Sequence, residues 1–458
     1  MFVNKKKKNN LSLNLKSKLC ILLFINIILL MHSNLLSINN QTFIIKKFFQ
    51  ITKKLNINTN KEIKIGVCTG FLKNGGRARI TSILVNYLNE IKLFNIHLFT
   101  KDKKDNEYII SQNVKRIIFR HNLFKLIKQY KIEILIYQLD NVQEINKLNQ
   151  LKNIKVIIYH HSSIFYWIYD QYYYFKSIYK AFKKSKYFIT IVPFENDYLF
   201  KKWGIRSILM SNFMTYEYNS VIPSSLSSKT ILMIGRGNDK KKRFDIGIKA
   251  MKYIVKEIPE CQLKIISLIK GINYLVNLVN KLNLKKNVQF VGYITKPEIY
   301  FKNASLHFFP SISESFGLVL SETKIYGIPS ILLGLDYVSI AKGGTIIIYD
   351  DKPETLAIEA IKILKNDKYR KKLGKNARRS IKNYNNKLLF LKWIKVILSI
   401  YKGDSYYEDL RKQDKSMSEK YALKILNNQI NLLKLRCKKF RNITIKEFEN
   451  FTFLENIK

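Results

Sequence analysis

Short, unbroken apolar runs recur along this chain, and the stretches between them carry apolar residues at helical spacing. A continuous run suits a strand whose sheet is covered on both faces, which is the situation of parallel sheets; a half-exposed sheet would show polar–apolar alternation instead. "IKIGVCTGF", from Ile63, is the first such run, and Ile80, Leu84, Leu88 and Ile91 follow it at helical spacing after "LKNGGRAR". "NIHLFT", "VKRIIF", "IEILIYQ", "IKVIIYHH" and "YFITIVP" continue the series. "NSVIPSSLSSKT" (Asn219 to Thr230) has the composition of a connector. The pattern then restarts with "ILMIGRG" and a helix face of Ile246, Ala250, Ile254 and Ile258, followed by "CQLKIISL", "NVQFVGY", "SLHFFP", "IPSILL" and "TIIIYD". The chain therefore reads as two α/β halves, each opening on a strand and a glycine-bearing loop.

Each of those loops has the composition of a phosphate site. In "NGGR", Gly75 and Gly76 allow backbone N–H groups to approach a ligand at a helix N-terminus, where partial positive charge collects. A plain tight turn would look the same, and the spacing is not G-x-G-x-x-G. "GRGNDKKKRFD" adds cations: Arg236 follows the strand and Lys242 precedes the helix, a pairing suited to a diphosphate. The competing reading is a basic surface loop. "PSISESFGLVLSETKIYGIP" reads as loop, helix, loop, with Ser313 or Ser315 as the cap and Gly317 in the first turn. Glu314 then lies at the carboxyl edge of the sheet, and Glu322 further along the helix on the same side. Two ionised carboxylates along one cleft fit two sets of hydroxyls, because they only accept hydrogen bonds. The N–H groups of Phe316, Gly317 and Leu318 are left for phosphate oxygens. The bland alternative is a dipole-favoured glutamate and an exposed one.

These motifs resemble those of the retaining GT-B glycosyltransferases of family 4, the glycosyl transferases of group 1. The E-x7-E pair stands here as Glu314 and Glu322 inside "PSISESFGLVLSETKIYGIP". The "GR…K…D…A" element stands as Gly235, Arg236, Lys242, Asp245 and Ala250, and the first-half glycine pair as Gly75 and Gly76. The resemblance spans about Ile63 to Tyr401. It implies two Rossmann-like domains facing each other across a cleft, and transfer of a hexose from a nucleotide diphosphate sugar to a glycan or lipid-linked hydroxyl with retention. It implies that Glu314 holds the donor sugar, Glu322 the ribose, and Arg236 with Lys242 the leaving diphosphate. It also places a histidine near the transferred sugar. "IIYHHSSIF" offers His160 and His161, and strand alternation turns His160 inward, so His161 is the candidate. Two departures stand out: "RAR" replaces the usual "A-E-R" after the glycine pair, and "AKGGTIII" lacks the usual nearby acid.

The predicted organisation is a leader over residues 1–60, an acceptor domain over 61–218, a donor domain over 219–385, and helices with a basic tail over 386–458. One C-terminal helix is expected to return to the first domain. "SEKYALKILNNQINLLKLRCKKF" is read as a solvated helix docked by one face, with Leu423, Leu432 and Leu435 among its lysines. The apolar run from Leu19 to Met31, behind Lys5 to Lys8, Lys16 and Lys18, reads as a signal anchor or signal peptide of the secretory pathway. Asn40-Gln41-Thr42, Asn442-Ile443-Thr444 and Asn303-Ala304-Ser305 are glycosylation sequons.

The formal charge of +48 favours anionic partners, although Lys, Asn and Ile are over-used throughout, as codon bias would produce. No nucleic acid is expected as a partner, since no zinc module or aromatic RNA-binding signature is present. Cys20, Cys68, Cys261 and Cys437 include no C-x-x-C pair, and no D-x-D motif lies near the diphosphate loop, so neither cofactor nor metal is expected. Two rival functions remain: an inactive, membrane-tethered nucleotide-sugar binder and a basic nucleic-acid-binding protein.

Overall fold

A computed structural model describes residues 43–450 apart from 74, 171, 414–416 and 438–439. The segment up to Thr59 forms one compact unit, described here as a helix over residues 43–54, and Asn60–Lys458 forms another. The apolar run from Leu19 to Met31 and the Asn40 sequon lie outside the described residues. No described helix is long and apolar enough to cross a membrane.

The larger unit holds two sheets. The first contains β1 (Ile63–Thr69), β2 (Phe94–Thr100), β3 (Lys115–Ile118), β4 (Ile134–Tyr137), β5 (Lys155–His160), β6 (Tyr187–Thr190) and β7 (Ile208–Leu209) in the order β3-β2-β1-β4-β5-β6-β7. The second contains β8 (Thr230–Ile234), β9 (Gln262–Ile266), β10 (Val288–Gly292), β11 (Leu306–Phe309), β12 (Ser330–Leu333) and β13 (Thr345–Ile348) in the order β10-β9-β8-β11-β12-β13. The strand pairs are parallel. Both orders are those of a doubly wound Rossmann-like sheet. The unbroken apolar runs have the expected cause. Ile134, Leu135, Ile136 and Tyr137 of β4 are all sealed from solvent, so neither face tolerates a polar residue.

The helices used below are, in chain order, α1 (Gly76–Asn89), α2 (Phe244–Glu257), α3 (Leu318–Ile325), α4 (Asn386–Lys402), α5 (Asp404–Lys412), α6 (Glu419–Arg436) and α7 (Ile445–Glu449). α2 buries Ile246, Ala250 and Ile254 together with Phe244, Ile248 and Met251. It presses so close to β8 that a Cβ on Gly247 would lie 2.4 Å from the Met233 sulfur. Only glycine fits such an approach without repacking the strand.

α4 returns to the first domain. Its Phe390 stacks on Tyr87 and its Trp393 meets Tyr159 edge-on, each with ring centroids 4.9 Å apart. Lys392 Nζ donates to the Leu209 carbonyl at 2.7 Å, closing the exposed end of β7. α5 sets the Tyr407 hydroxyl on the Phe188 carbonyl of β6. α6 docks by one face, as expected, but the face is rotated from the predicted one. Ala422, Ile425, Leu426, Gln429, Ile430 and Leu433 are buried with Leu432, whereas Leu435 is 59% exposed and Leu423 is half-buried. Its Gln429 amide donates to the Gly334 carbonyl at 2.7 Å and to Asp336 at 2.8 Å, which seats the helix on the second domain.

Candidate functional site

In doubly wound sheets, ligands bind beyond the carboxyl ends of the strands where the strand order reverses. The reversal falls between β1 and β4 in the first sheet and between β8 and β11 in the second. The glycine pair, the Arg236–Lys242 loop and the Glu314 loop all follow these strands.

Gly75 has φ +122° and ψ 160°, a conformation open essentially only to glycine, and α1 begins at Gly76 with no side-chain cap and no acid in its first turn. α3 begins the same way. Its N-cap is Gly317, at φ +78°, rather than Ser313 or Ser315, and its first turn also lacks an acid. Serine cannot serve there for two reasons. Only glycine adopts the left-handed backbone at little cost, and a Cβ would lie 3.2 Å from the Phe309 ring. The two helix starts converge: a Cβ on Gly76 would sit 3.1 Å from Leu318 Cδ1. Each helix thus opens on amides without a side-chain cap, where partial positive charge collects. The Phe316 side chain is buried against Tyr384 and braces the turn.

The second-domain loops are tied together. The Ile312 amide donates to the Lys241 carbonyl at 2.8 Å, and Lys242 Nζ lies 2.5 Å from Glu314 Oε1. The Glu314 amide donates to the Tyr337 hydroxyl at 3.1 Å. Arg236 does not join this pair. Its guanidinium bonds Asp239 at 2.9 Å, and its side chain is 66% exposed.

Glu322 is not the exposed helix residue that the bland reading allowed. It is buried, and its Oε1 accepts from Arg79 of α1 and from the Thr215 hydroxyl, the latter at 2.8 Å. Arg79 also donates to Thr215 at 3.1 Å. Oε2 takes no hydrogen bond from the described residues and is not sealed from solvent, so it is free to accept from a ligand. Burial raises the Glu322 pKa, against the lowering effect of Arg79 and Thr215.

On the first-domain side, His160 points inward, between Phe182 and Phe188, with Nδ1 3.4 Å from Asp140. His161 lies over the Tyr159 ring at 3.9 Å, half-buried, and its Nε2 is enclosed without a hydrogen-bond partner. Burial, then Arg77 and His160, hold its pKa well below the usual imidazole value, so the ring is neutral at physiological pH. Arg77, the first residue of "RAR", donates to the Gln138 carbonyl at 2.9 Å and lies 3.6 Å from Asp140. Among the described residues, no cluster of His, Cys, Asp and Glu has the makings of a metal site.

Sequence reasoning missed Arg79, Thr215, Tyr337 and Glu195. The first two act across the domain boundary: Arg79 and Glu322 are 243 positions apart. Nothing local in "RAR" announces that contact. Glu195 is fully buried and accepts from the Ser163 hydroxyl at 3.0 Å and the Ile164 amide at 2.6 Å. A glutamate inside the apolar surroundings of "VPFENDYLF" was the available signal, since an unpartnered buried carboxylate is costly.

The described architecture is similar to that of solved GT-B glycosyltransferases. Sucrose-phosphate synthase (tll1590) from Thermosynechococcus elongatus aligns with a TM-score of 0.63 at 18% identity, covering 74% of this chain and 99% of that one. Anabaena Alr3699/HepE in complex with UDP-glucose aligns with a TM-score of 0.61 at 13% identity, covering 74% of this chain and all of that one. These likenesses concern the fold. In sequence, an uncharacterized glycosyltransferase of Haemophilus influenzae is 29% identical over 115 residues, which make up 24% of this chain and 32% of that protein. The chain therefore matches about a third of that curated relative's length. Residues 217–380 match the family model described as glycosyl transferases group 1. That segment holds Arg236, Lys242, Glu314 and Glu322, so this chain carries a glycosyl transferases group 1 domain on a GT-B fold.

Proposed function

We propose that the protein is a retaining glycosyltransferase that moves a hexose from a nucleotide diphosphate sugar to a hydroxyl of a glycan or lipid-linked acceptor. One observation carries the reading. Glu314 and Glu322 lie at the strand-order reversal of the second sheet, each with its first oxygen held by a protein cation and its orientation thereby set. Glu322 Oε2 would accept from the ribose hydroxyls and Glu314 from those of the sugar. The amides at Gly317 and Leu318, with Lys242 and Arg236, would take the diphosphate. Arg236 must leave Asp239 to do so, and its exposed side chain is free to turn. HepE, solved with UDP-glucose, supports a nucleotide hexose as the donor class.

In the proposed reaction the bond between the anomeric carbon and the diphosphate oxygen breaks, and the acceptor oxygen bonds the same face of that carbon. The acceptor proton passes to the departing phosphate. Once Arg236 has turned on donor binding, the cations and amides stabilise the charge that develops on the leaving group. His161, neutral, would hydrogen-bond the transferred sugar once a turn of its ring uncovers the enclosed Nε2. We place the enzyme on a membrane of the secretory pathway, held by the apolar segment from Leu19 to Met31.

The test is a thermal-shift screen against UDP-, GDP- and ADP-hexoses, followed by NMR of the product's anomeric configuration. One donor should raise the melting temperature, because a ligand of the folded state stabilises it. The product should keep the donor's configuration. No shift with any donor, or an inverted product, would overturn the reading.

A further inference from the structure

The two loops that carry His161 and Glu314 belong to different domains, yet an unbroken run of buried contacts joins them. Tyr337, in the loop after β12, is only 2% exposed. Its ring crosses to the first domain and packs on Phe165, with centroids 4.8 Å apart. Its hydroxyl accepts from the Glu314 amide at 3.1 Å and donates to the Ser313 hydroxyl at 3.3 Å. Phe165 is tied to Ser163, whose hydroxyl accepts from the Phe165 amide at 3.3 Å.

Ser163 in turn donates to Glu195 Oε1 at 3.0 Å, and the Ile164 amide donates to that same atom at 2.6 Å. Glu195 Oε2 accepts from the Thr190 hydroxyl at 3.4 Å, at the end of β6. Glu195 opens a π-helical turn, Glu195–Leu199, a local widening that often accompanies functional placement. The carboxylate is fully buried and its desolvation is costly; burial pushes its pKa up to about 6 despite these donors and nearby His160. A buried acid that holds down a loop two and three residues beyond His161 has a structural effect where the proposed chemistry needs it.

We propose that Tyr337 and Glu195 are positioning residues that set the distance between His161 and Glu314 by bridging the two domains through the contact of Tyr337 with Phe165. Neither residue touches the substrate. Glu195 fixes the loop behind His161, Tyr337 fixes the backbone of Glu314, and the ring contact of Tyr337 with Phe165 links them. Oxygen Oε1 of a glutamine could accept both loop bonds, with its amide turned to Thr190. Charge is therefore not what the clamp needs, whereas an acceptor is.

The inference rests on the glycosyl-transfer reading only for its kinetic arm, so two measurements are made on the full chain. The first is amide hydrogen exchange of wild type, Tyr337→Phe, Tyr337→Leu, Glu195→Ala and Glu195→Gln, with no ligand present. Tyr337→Phe should speed exchange at the Glu314 amide at least tenfold, and Tyr337→Leu, which also removes the ring contact with Phe165, should in addition speed it across residues 161–165 in the other domain. Glu195→Ala should do the reverse, reaching Glu314 from the first domain, and Glu195→Gln should match wild type. The second is turnover with the donor found by thermal shift. Tyr337→Phe and Glu195→Ala should lower kcat at least tenfold with donor KM within twofold, and Glu195→Gln should restore kcat. Exchange changes confined to the mutated domain in Tyr337→Leu or Glu195→Ala would overturn the bridge, and unchanged exchange at the Glu314 amide in Tyr337→Phe would overturn its anchoring by Tyr337. Equal losses in Glu195→Gln and Glu195→Ala would overturn the clamp. Exchange that spreads across domains in a protein that turns over no nucleotide sugar would leave the bridge standing and remove the proposed function instead.

Discussion

Removing the Arg79 guanidinium should weaken the fold by about 2 kcal/mol, and the loss should depend on Glu322. Arg79 and Thr215 both donate to one oxygen of the buried Glu322 carboxylate. Two charges in hydrogen-bond contact attract by roughly 5 kcal/mol at an effective dielectric of 20. Desolvation of a buried carboxylate offsets much of that, and hydrogen bonds to charged groups leave about 1.5–3 kcal/mol net. The Arg79 side chain is 31% exposed, so the middle of that range applies. The perturbation is a double-mutant cycle of Arg79→Met, which keeps the apolar stem, and Glu322→Gln, which keeps the shape and the Thr215 bond. The assay is urea unfolding followed by circular dichroism. Tryptophan fluorescence is recorded in parallel, because Trp167, Trp203 and Trp393 all sit in or against the first domain. Coincident transitions license the comparison.

The expected coupling is about 2 kcal/mol at pH 7.5. Its pH dependence has a fixed sign. The folded pKa of Glu322 lies above its unfolded value, because burial outweighs Arg79 and Thr215. Taking Arg79 away raises the folded pKa further. Ionisation of Glu322 therefore costs stability, more so in Arg79→Met, and protonation removes that cost. The destabilisation of Arg79→Met should be largest at neutral pH and should shrink on acidification through the raised pKa. Additivity within about 0.5 kcal/mol at pH 7.5, or a destabilisation that grows toward acid, would refute the assignment.

Three further outcomes follow from the same geometry. Gly317→Ala should cost roughly 1–3 kcal/mol, read from the urea midpoint, because the backbone is left-handed and Phe309 stands in the way. Glu322→Ala should raise donor KM and leave kcat nearly unchanged, since the ribose is remote from the bond that breaks. Lys324 is buried, with Nζ bonded to the Lys342 and Gly343 carbonyls at 2.6 and 2.7 Å, and burial lowers its pKa to about 7. The unfolded chain binds the extra proton between about pH 7 and 10.5, so stability should rise with pH across that window. Thermal melts of Lys324→Met should lack that rise.

The alternation of apolar runs with helical segments was enough to recover the two-domain α/β architecture, because strands covered on both faces leave a signal independent of partners. The spacing of Glu314 and Glu322 was legible for a similar reason: loop, left-handed glycine and short helix are contiguous, so their chemistry is local. What lay beyond reach was the contact between distant segments. "RAR" looked like a missing acid, whereas its second arginine meets Glu322 in the other domain. Ser313 and Ser315 had the right composition for a cap, but the packing of Phe309 against the turn gives that place to Gly317. On α6, the leucines singled out in the sequence include Leu435, which the structure leaves exposed; the docked face is set by the surface it meets at Gly334, where Leu432 fills the space a side chain would take.

The most direct test of the central claim is turnover by Glu314→Gln. The variant retains the shape of a side chain whose only described role in the fold is its pairing with Lys242, so its melting curve should match wild type. With a nucleotide diphosphate hexose and acceptor, the wild type should release nucleoside diphosphate in step with glycosylated product. Glu314→Gln should fall by roughly a hundredfold or more, the scale seen when one charge-stabilising group is lost from a preorganised site. Near-normal release by a normally folded Glu314→Gln protein would contradict the account.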